Sequence, residues 1–252
     1  MKIIYFFRTV FIILFLLLYF IYSIPALFVI WLIKKISKND YLVSRIAQSH
    51  VSWAFNVICF IGNVKKNVIG VENVPKDTAV LYVANHRSYF DIIATYSELP
   101  TLTGFVAKKE IKNMPFIAQW MIFLKCLFLD RDNIKEGMKT ILAGIEQIKD
   151  GYSIFIMPEG TRNHTDTMLP FHEGSFKFAQ KTGCPIIPVA IANADAAFEN
   201  HFPLVGDATV TILFGEPIYP NQLSREDKKF IGAYSQKVIQ ENLDKIDSGM
   251  IK

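Results

Sequence analysis

Residues 9–33, TVFIILFLLLYFIYSIPALFVIWLI, form a run without a single formal charge. As one helix rising about 1.5 Å per residue it reaches roughly 37 Å, against a bilayer hydrocarbon core of about 30 Å. Ser23 and Pro25 interrupt it, and a proline inside a helix removes a hydrogen bond and crowds the preceding turn. The pieces on either side, 9–22 and 26–33, are each too short to cross alone. Two geometries are therefore open, a single span and a re-entrant helical hairpin. Basic residues stand on both flanks, Lys2 and Arg8 before the run and Lys34, Lys35 and Lys38 after it. They favour the hairpin, because a single crossing usually carries its lysine and arginine excess on one side. The run also exceeds the apolar segment of a cleavable signal, about 7–15 residues.

Apolar positions then recur at helical spacing through residues 41–60, YLVSRIAQSHVSWAFNVICF, which reads as an amphipathic helix. Beyond Gly62 short β-rich runs alternate with helical segments, the habit of an α/β fold. Strands are expected at 64–70, 79–84, 104–107, 127–129, 153–157, 186–191 and 208–214. Helices are expected at 88–97, 115–125, 134–149, 171–181 and 224–246. The 252 residues thus divide into an N-terminal membrane-associated segment (1–38), a connecting amphipathic helix (39–62) and an α/β domain (63–252).

Composition supports the membrane reading: 51% of residues are apolar and the mean hydropathy is +0.26, both high for a soluble domain. A net charge of +4 comes without a lysine or arginine tract, so nucleic acid is not an expected partner, and anionic lipid headgroups are a sufficient one. Cys59, Cys126 and Cys184 are odd in number and lack C-x-x-C spacing. They read as buried small apolar residues in a reducing compartment, with neither a disulfide framework nor a zinc site.

Candidate chemistry begins at NHRSYFD, residues 85–91, where the apolar run AVLYVA ends. Functional loops of α/β folds gather at such strand ends. His86 and Asp91 lie five residues apart, about 140° around a continuous helix and unable to face one another. If the helix begins only at Ser88, the histidine sits in the loop and the aspartate in the first turn. Asp91 can then reach back, fix the imidazole tautomer and let His86 act as a general base toward a hydroxyl. The plain alternative is a capped helix, with Ser88 as N-cap and Asp91 as its reciprocal partner three residues on. Both readings stand on this motif alone.

A second strand end carries IFIMPEGTRN, residues 154–163. Gly160 admits a left-handed turn that brings backbone N–H groups close to a ligand, and the planar fork of Arg162 suits a phosphate. A third region offers Lys108 and Lys109 after one strand and Arg131 after the next, cations that make an anion-binding rim if they converge. Each has the ordinary alternative of a solvated loop charge. No G-x-S-x-G, Walker or G-x-G-x-x-G motif occurs, so a serine acyl-enzyme and nucleotide binding lose their usual support and the nucleophile falls to the substrate.

Taken in order, NHRSYFD, KKEIKNMPFIAQW with LFLDRDN, MPEGTRN and CPIIPVAI resemble the four blocks of the glycerolipid acyltransferase family, of which the 1-acyl-sn-glycerol-3-phosphate acyltransferases are the type. The resemblance covers about residues 70–218. It implies a mixed central sheet flanked by helices, with an N-terminal hydrophobic helix or helical hairpin. The implied activity is transfer of a fatty acyl group from acyl-CoA or acyl-carrier protein to the free hydroxyl of lysophosphatidic acid, with the bilayer as partner, no cofactor, and the domain on the cytoplasmic face. On the matching positions His86 and Asp91 take the catalytic roles, and Glu159, Gly160, Thr161, Arg162 and Lys108 bind the acceptor phosphate. Ile111, Met157 and His172 depart from the family pattern, the last placing a histidine where lysine is common. Other acceptors remain open (another lysophospholipid, an ornithine-type lipid, glycerol 3-phosphate), as do a lipid hydrolase and a non-catalytic membrane-binding module.

Overall fold

The seven β-rich runs all become strands. The computed structural model of the protein describes residues 2–165 and 167–251. In it β1 (Val64–Ile69), β2 (Leu81–Ala84), β3 (Thr103–Lys108), β4 (Leu127–Leu129), β5 (Ser153–Ile156), β6 (Ile186–Ala192) and β7 (Ala208–Phe214) form one sheet. Its order is β1-β7-β6-β2-β5-β3-β4. Neighbouring strands from β6 through β4 are parallel. Only β7 lies antiparallel to its neighbour β6, and β1 follows β7. The sheet is mixed, as the resemblance implies.

Strands buried on both faces read as continuous apolar runs, and LYVA and SIFI are buried throughout. Alternate side chains serve opposite layers. Tyr82, Ala84, Phe155, Ile187 and Val189 pack under α1 (Lys2–Ser37), α2 (Asp40–Gly62), α3 (Phe90–Tyr96) and α4 (Ile117–Phe123). Leu81, Val83, Ile154, Ile156 and Ile186 pack under α5 (Ile134–Lys149), α6 (Lys177–Thr182) and, beyond the short α7 (Arg225–Lys229), α8 (Ile231–Asp247). Each such large side chain contributes about 1.5–3 kcal/mol by leaving water. The expected 224–246 helix is divided at Phe230. The expected 171–181 helix opens with a 3₁₀ turn, Glu173–Phe176, before α6.

The N-terminal expectation needs correction. Ser23 and Pro25 do not break the run: α1 is continuous through both. Ser23 Oγ donates to the Tyr19 carbonyl at 2.8 Å and accepts the Trp120 indole N–H at 2.9 Å, so packing against α4 holds the segment helical where proline propensity alone would interrupt it. A hairpin does exist, but its turn falls at Lys38, in a left-handed conformation (φ 53°), followed by Asn39, whose side chain accepts from Leu42 N. Helix α2 returns antiparallel, with His50 stacked beside Tyr22 and Trp53 beside Phe15. One seam of α1 (Ile12, Tyr19, Ser23, Ile30) is buried on the body. Its outer faces expose Phe7, Phe11, Leu14, Leu17, Leu18, Ile21, Phe28 and Trp31.

Two carboxylates fasten α1 near its ends. Asp207 accepts from Arg8 and from Asn63, and Asp40 accepts from Lys125 at 2.6 Å with Lys34 3.6 Å away. The Asn63 amide and Arg8 guanidinium hold the Asp207 carboxyl below its ordinary range, and Lys125 does the same for Asp40. For a carboxylate lowered on folding, the stabilisation is complete above the unfolded value, about 3.9, and is lost as pH falls through the folded one. Each exposed pair is worth at most about 1 kcal/mol. In thermal melts in detergent, the deficit of the Asp40→Asn/Asp207→Asn variant relative to wild type should hold steady down to about pH 4 and shrink below it. A deficit that stays constant into strong acid would contradict this clasp.

Candidate active site

Strand β2 delivers its last residues to the carboxyl edge of the sheet. Asn85 is buried and stitches that end to β6, its amide donating to the Ile191 carbonyl at 2.8 Å and its oxygen accepting Ile191 N at 2.9 Å. His86 and Arg87 lie in the loop, and α3 starts at Phe90. Asp91 occupies the first helical turn and is fully buried.

Its Oδ2 accepts three donors: Arg87 N at 2.7 Å, Ser88 N at 2.7 Å and the His86 ring at 2.9 Å through Nδ1. Ser88 Oγ accepts Phe90 N at 2.9 Å and Asp91 N donates to the Ser88 carbonyl, so the capping box expected at Ser88 does not form; Tyr89 takes the N-cap position. The bonds that shape the helix start and the one that aims the histidine still meet at a single oxygen. A carboxylate acceptor assigns the proton to Nδ1 and leaves Nε2 for a substrate. Burial pushes the Asp91 carboxyl above its ordinary value, opposed by the His86 ring and the Ser88 and Arg87 N–H groups.

The loop after β5 is bound to the same histidine. Glu159 Oε1 accepts His86 N at 2.7 Å, and Asn163 N donates to the His86 carbonyl at 2.7 Å. Glu159 is turned inward, its other oxygen taken by Leu169 N at 2.9 Å. Both Glu159 oxygens are thus engaged within the protein, one of them on the backbone of His86. Gly160 adopts φ 74°. A side chain there would meet the His172 ring at 3.3 Å, so the histidine that departs from the family pattern lies against this turn. Thr161 is exposed.

Arg162 lies with its guanidinium carbon 3.7 Å above the Tyr89 ring and donates through Nη1 to Glu199 Oε1 at 3.2 Å. Tyr89, Arg162, His164, Phe198, Glu199 and Phe202 line a pocket of about 340 Å³, cationic on one wall and aromatic on another. Lys108 ends β3, exposed, at the same edge of the sheet. Its neighbour Lys109 is drawn aside onto Asp130 at 2.9 Å. Arg131 donates to the Gly160 carbonyl, tying the second block to the turn.

Two acids were not marked by any motif. Asp195 meets Arg87 Nη2 at 3.2 Å, and Glu199 accepts from Ser88 Oγ and, at 3.0 Å, from Tyr89 N. Both follow β6 and clasp the loop that carries His86. The N–H groups at the start of α3, from Arg87 to Phe90, all donate to atoms within the protein.

The His86–Asp91 pair thus lies beside an arginine-lined pocket at the carboxyl edge of an α/β sheet. The sequence model of the acyltransferase family matches residues 65–192, just over half of the chain, and the chain belongs to that family and is an O-acyltransferase. It is similar to the 1-acyl-sn-glycerol-3-phosphate acyltransferase of Saccharomyces cerevisiae, 29% identical over 212 residues that cover 81% of this chain and 69% of the yeast protein. The protein of that name from Borreliella burgdorferi is 28% identical over 187 residues, covering 74% and 75% of the two chains. Among solved structures it resembles the 1-acyl-sn-glycerophosphate (LPA) acyltransferase PlsC of Thermotoga maritima. That match has a TM-score of 0.80 and 25% identity, over 98% of this chain and 97% of the other.

Replacing Asp91 by asparagine keeps an oxygen for the Arg87 and Ser88 N–H groups but removes the charge that favours an Nδ1–H imidazole and its imidazolium. Asp91→Asn should lower kcat by at least about tenfold with the circular dichroism spectrum retained. An unchanged kcat would reduce Asp91 to a helix cap.

Proposed function

We propose that the chain transfers a fatty acyl group from acyl-CoA or acyl-carrier protein to the free hydroxyl of 1-acyl-sn-glycerol 3-phosphate, giving phosphatidic acid. The observation that carries this reading is the His86–Asp91 pair, held by backbone bonds to the same loop that presents Arg162 to a headgroup-sized pocket. The names of the yeast, Borreliella and Thermotoga proteins point to this acceptor.

The chemistry follows from the geometry. His86 Nε2 takes the proton of the acceptor hydroxyl as its oxygen attacks the thioester carbonyl, and Asp91 stabilises the imidazolium that forms. Collapse of the tetrahedral intermediate breaks the carbon–sulfur bond, and the imidazolium proton passes to the leaving thiolate. A thioester is already activated, so the residues needed are a base, its orienter and groups that hold the two substrates. Arg162 grips the acceptor phosphate with Gly160, Thr161 and Lys108 around it. Glu159 acts through the backbone of His86.

The apolar outer faces of α1 place this site at a bilayer, where both lipid-like substrates are concentrated. Helix α1 is fastened to the body from Arg8 to Lys34. It therefore lies beside the domain, and we propose that it is embedded in one leaflet with the domain on the cytoplasmic face, as the resemblance implies.

Purified protein in detergent, given a labelled acyl thioester and lysophosphatidic acid, should form labelled phosphatidic acid, and His86→Ala should abolish it with the fold intact. Free fatty acid without ester would establish a hydrolase. Ester formed only on another lysophospholipid, an ornithine-type lipid or glycerol 3-phosphate would reassign the acceptor, and no turnover with any of them would leave a binding module. Arg162→Ala should chiefly raise the acceptor KM, by about tenfold or more for the loss of a charge-assisted pair. An equal rise with 1-acylglycerol, which lacks the phosphate, would remove Arg162 from phosphate binding.

A further inference from the structure

Glu199 is the one carboxylate shown paired with Arg162 among the described residues, and it comes from a segment outside the four motifs. Its side chain is only 12% exposed. Oε2 accepts Ser88 Oγ, and Oε1 accepts both Tyr89 N at 3.0 Å and Arg162 Nη1 at 3.2 Å. Tyr89 contributes twice, giving its N–H to Glu199 and its ring to the guanidinium. The carboxylate thus binds the loop of His86 and the arginine of the headgroup pocket with the same two oxygens, and it lines that pocket itself.

We infer that Glu199 is a resident stand-in for the acceptor phosphate: it holds Arg162 over Tyr89 while the pocket is empty and yields the guanidinium when the phosphate enters. The inference rests on the proposed phosphate role of Arg162. A phosphate monoester carries about −1.5 to −2 charge near neutrality and offers three acceptor oxygens. It outbids a single shared carboxylate oxygen for the planar fork of Arg162, whereas a neutral headgroup cannot. Two anions facing one guanidinium repel each other, so the exchange costs affinity; the apparent Kd is the intrinsic one divided by the fraction of enzyme whose arginine is free. In return, Arg162 is never an unpaired cation in a partly buried pocket. Glu199 keeps its bonds to Ser88 and Tyr89 throughout, which makes it a positioning residue for the His86 loop and a competitor for Arg162 in the pocket.

Glu199→Gln is isosteric and keeps an oxygen for Tyr89 N, but removes the competing charge. It should lower the KM for lysophosphatidic acid by about two- to fivefold, the range of a partly exposed ion pair, while the KM for 1-acylglycerol does not fall. Glu199→Asp, which retains the charge, should not produce this decrease. In an Arg162→Ala background Glu199→Gln should have no effect on KM. A KM for lysophosphatidic acid that is unchanged or raised in Glu199→Gln would overturn the inference and make Glu199 a support for Arg162 only. If Arg162→Ala itself leaves that KM unaltered, the phosphate role of Arg162 fails and the inference with it. If Arg162→Ala raises KM but Glu199→Gln does not lower it, the inference alone fails.

Discussion

One buried oxygen organises this site. Asp91 Oδ2 gathers the N–H groups of Arg87 and Ser88 and the ring of His86, and by doing so it ends the β2 loop, starts α3 and aims the imidazole in one step. A carboxylate without exposure is stable only when its charge is answered by donors, and each of the three donors here is a piece of the loop it must shape. Remove that oxygen and the loop loses the reason for its conformation. The second motif then grips the same residue from behind, through Glu159 and Asn163 on the His86 backbone. The histidine is fixed at ring and main chain before any substrate arrives, which is the preorganisation that catalysis by positioning demands.

Around this centre the fold assigns separate tasks to separate strand ends. The end of β2 carries His86, the end of β5 Arg162 and its turn, and the segment after β6 the two acids that tie these loops together. The sheet is rigid because both its faces are filled, so loops that share its carboxyl edge keep their spacing. Helix α1 adds an apolar outer wall to one layer, and its seam residues, Ser23 bonded to Trp120 among them, make it part of the domain. The exposed apolar faces of α1 are thereby carried on the same body as the site.

The meeting of His86 and Asp91 was legible in the sequence because a local rule set it: a break before the helix leaves the histidine in the loop and the aspartate in the first turn, although the helix starts at Phe90 and not at Ser88. The strands were legible because doubly buried strands leave apolar runs. What escaped was decided by distant partners. Pro25 reads as a break, yet α1 is held through it by Tyr19 and Trp120. Glu159 reads as a ligand for phosphate, yet its oxygens are drawn inward by the backbone of His86 and Leu169. Asp195 and Glu199 sit in an unmarked stretch after the fourth motif. Glu199 reaches partners 37 and 111 residues away in the chain, separations over which residue spacing carries no signal. The four-residue spacing of Asp195 and Glu199 in ANADAAFEN is at most a hint that the two share a face.

The most direct test of this account is the tautomer of His86. With histidines labelled by ¹⁵N, two-bond nitrogen–proton correlation spectra distinguish a neutral ring with its proton on Nδ1 from one with its proton on Nε2. The His86 resonances, assigned by their loss in His86→Ala, should report Nδ1–H in the wild type and shift toward Nε2–H in Asp91→Asn. An Nε2–H ring in the wild-type protein would leave no lone pair for a substrate hydroxyl and would contradict the central claim.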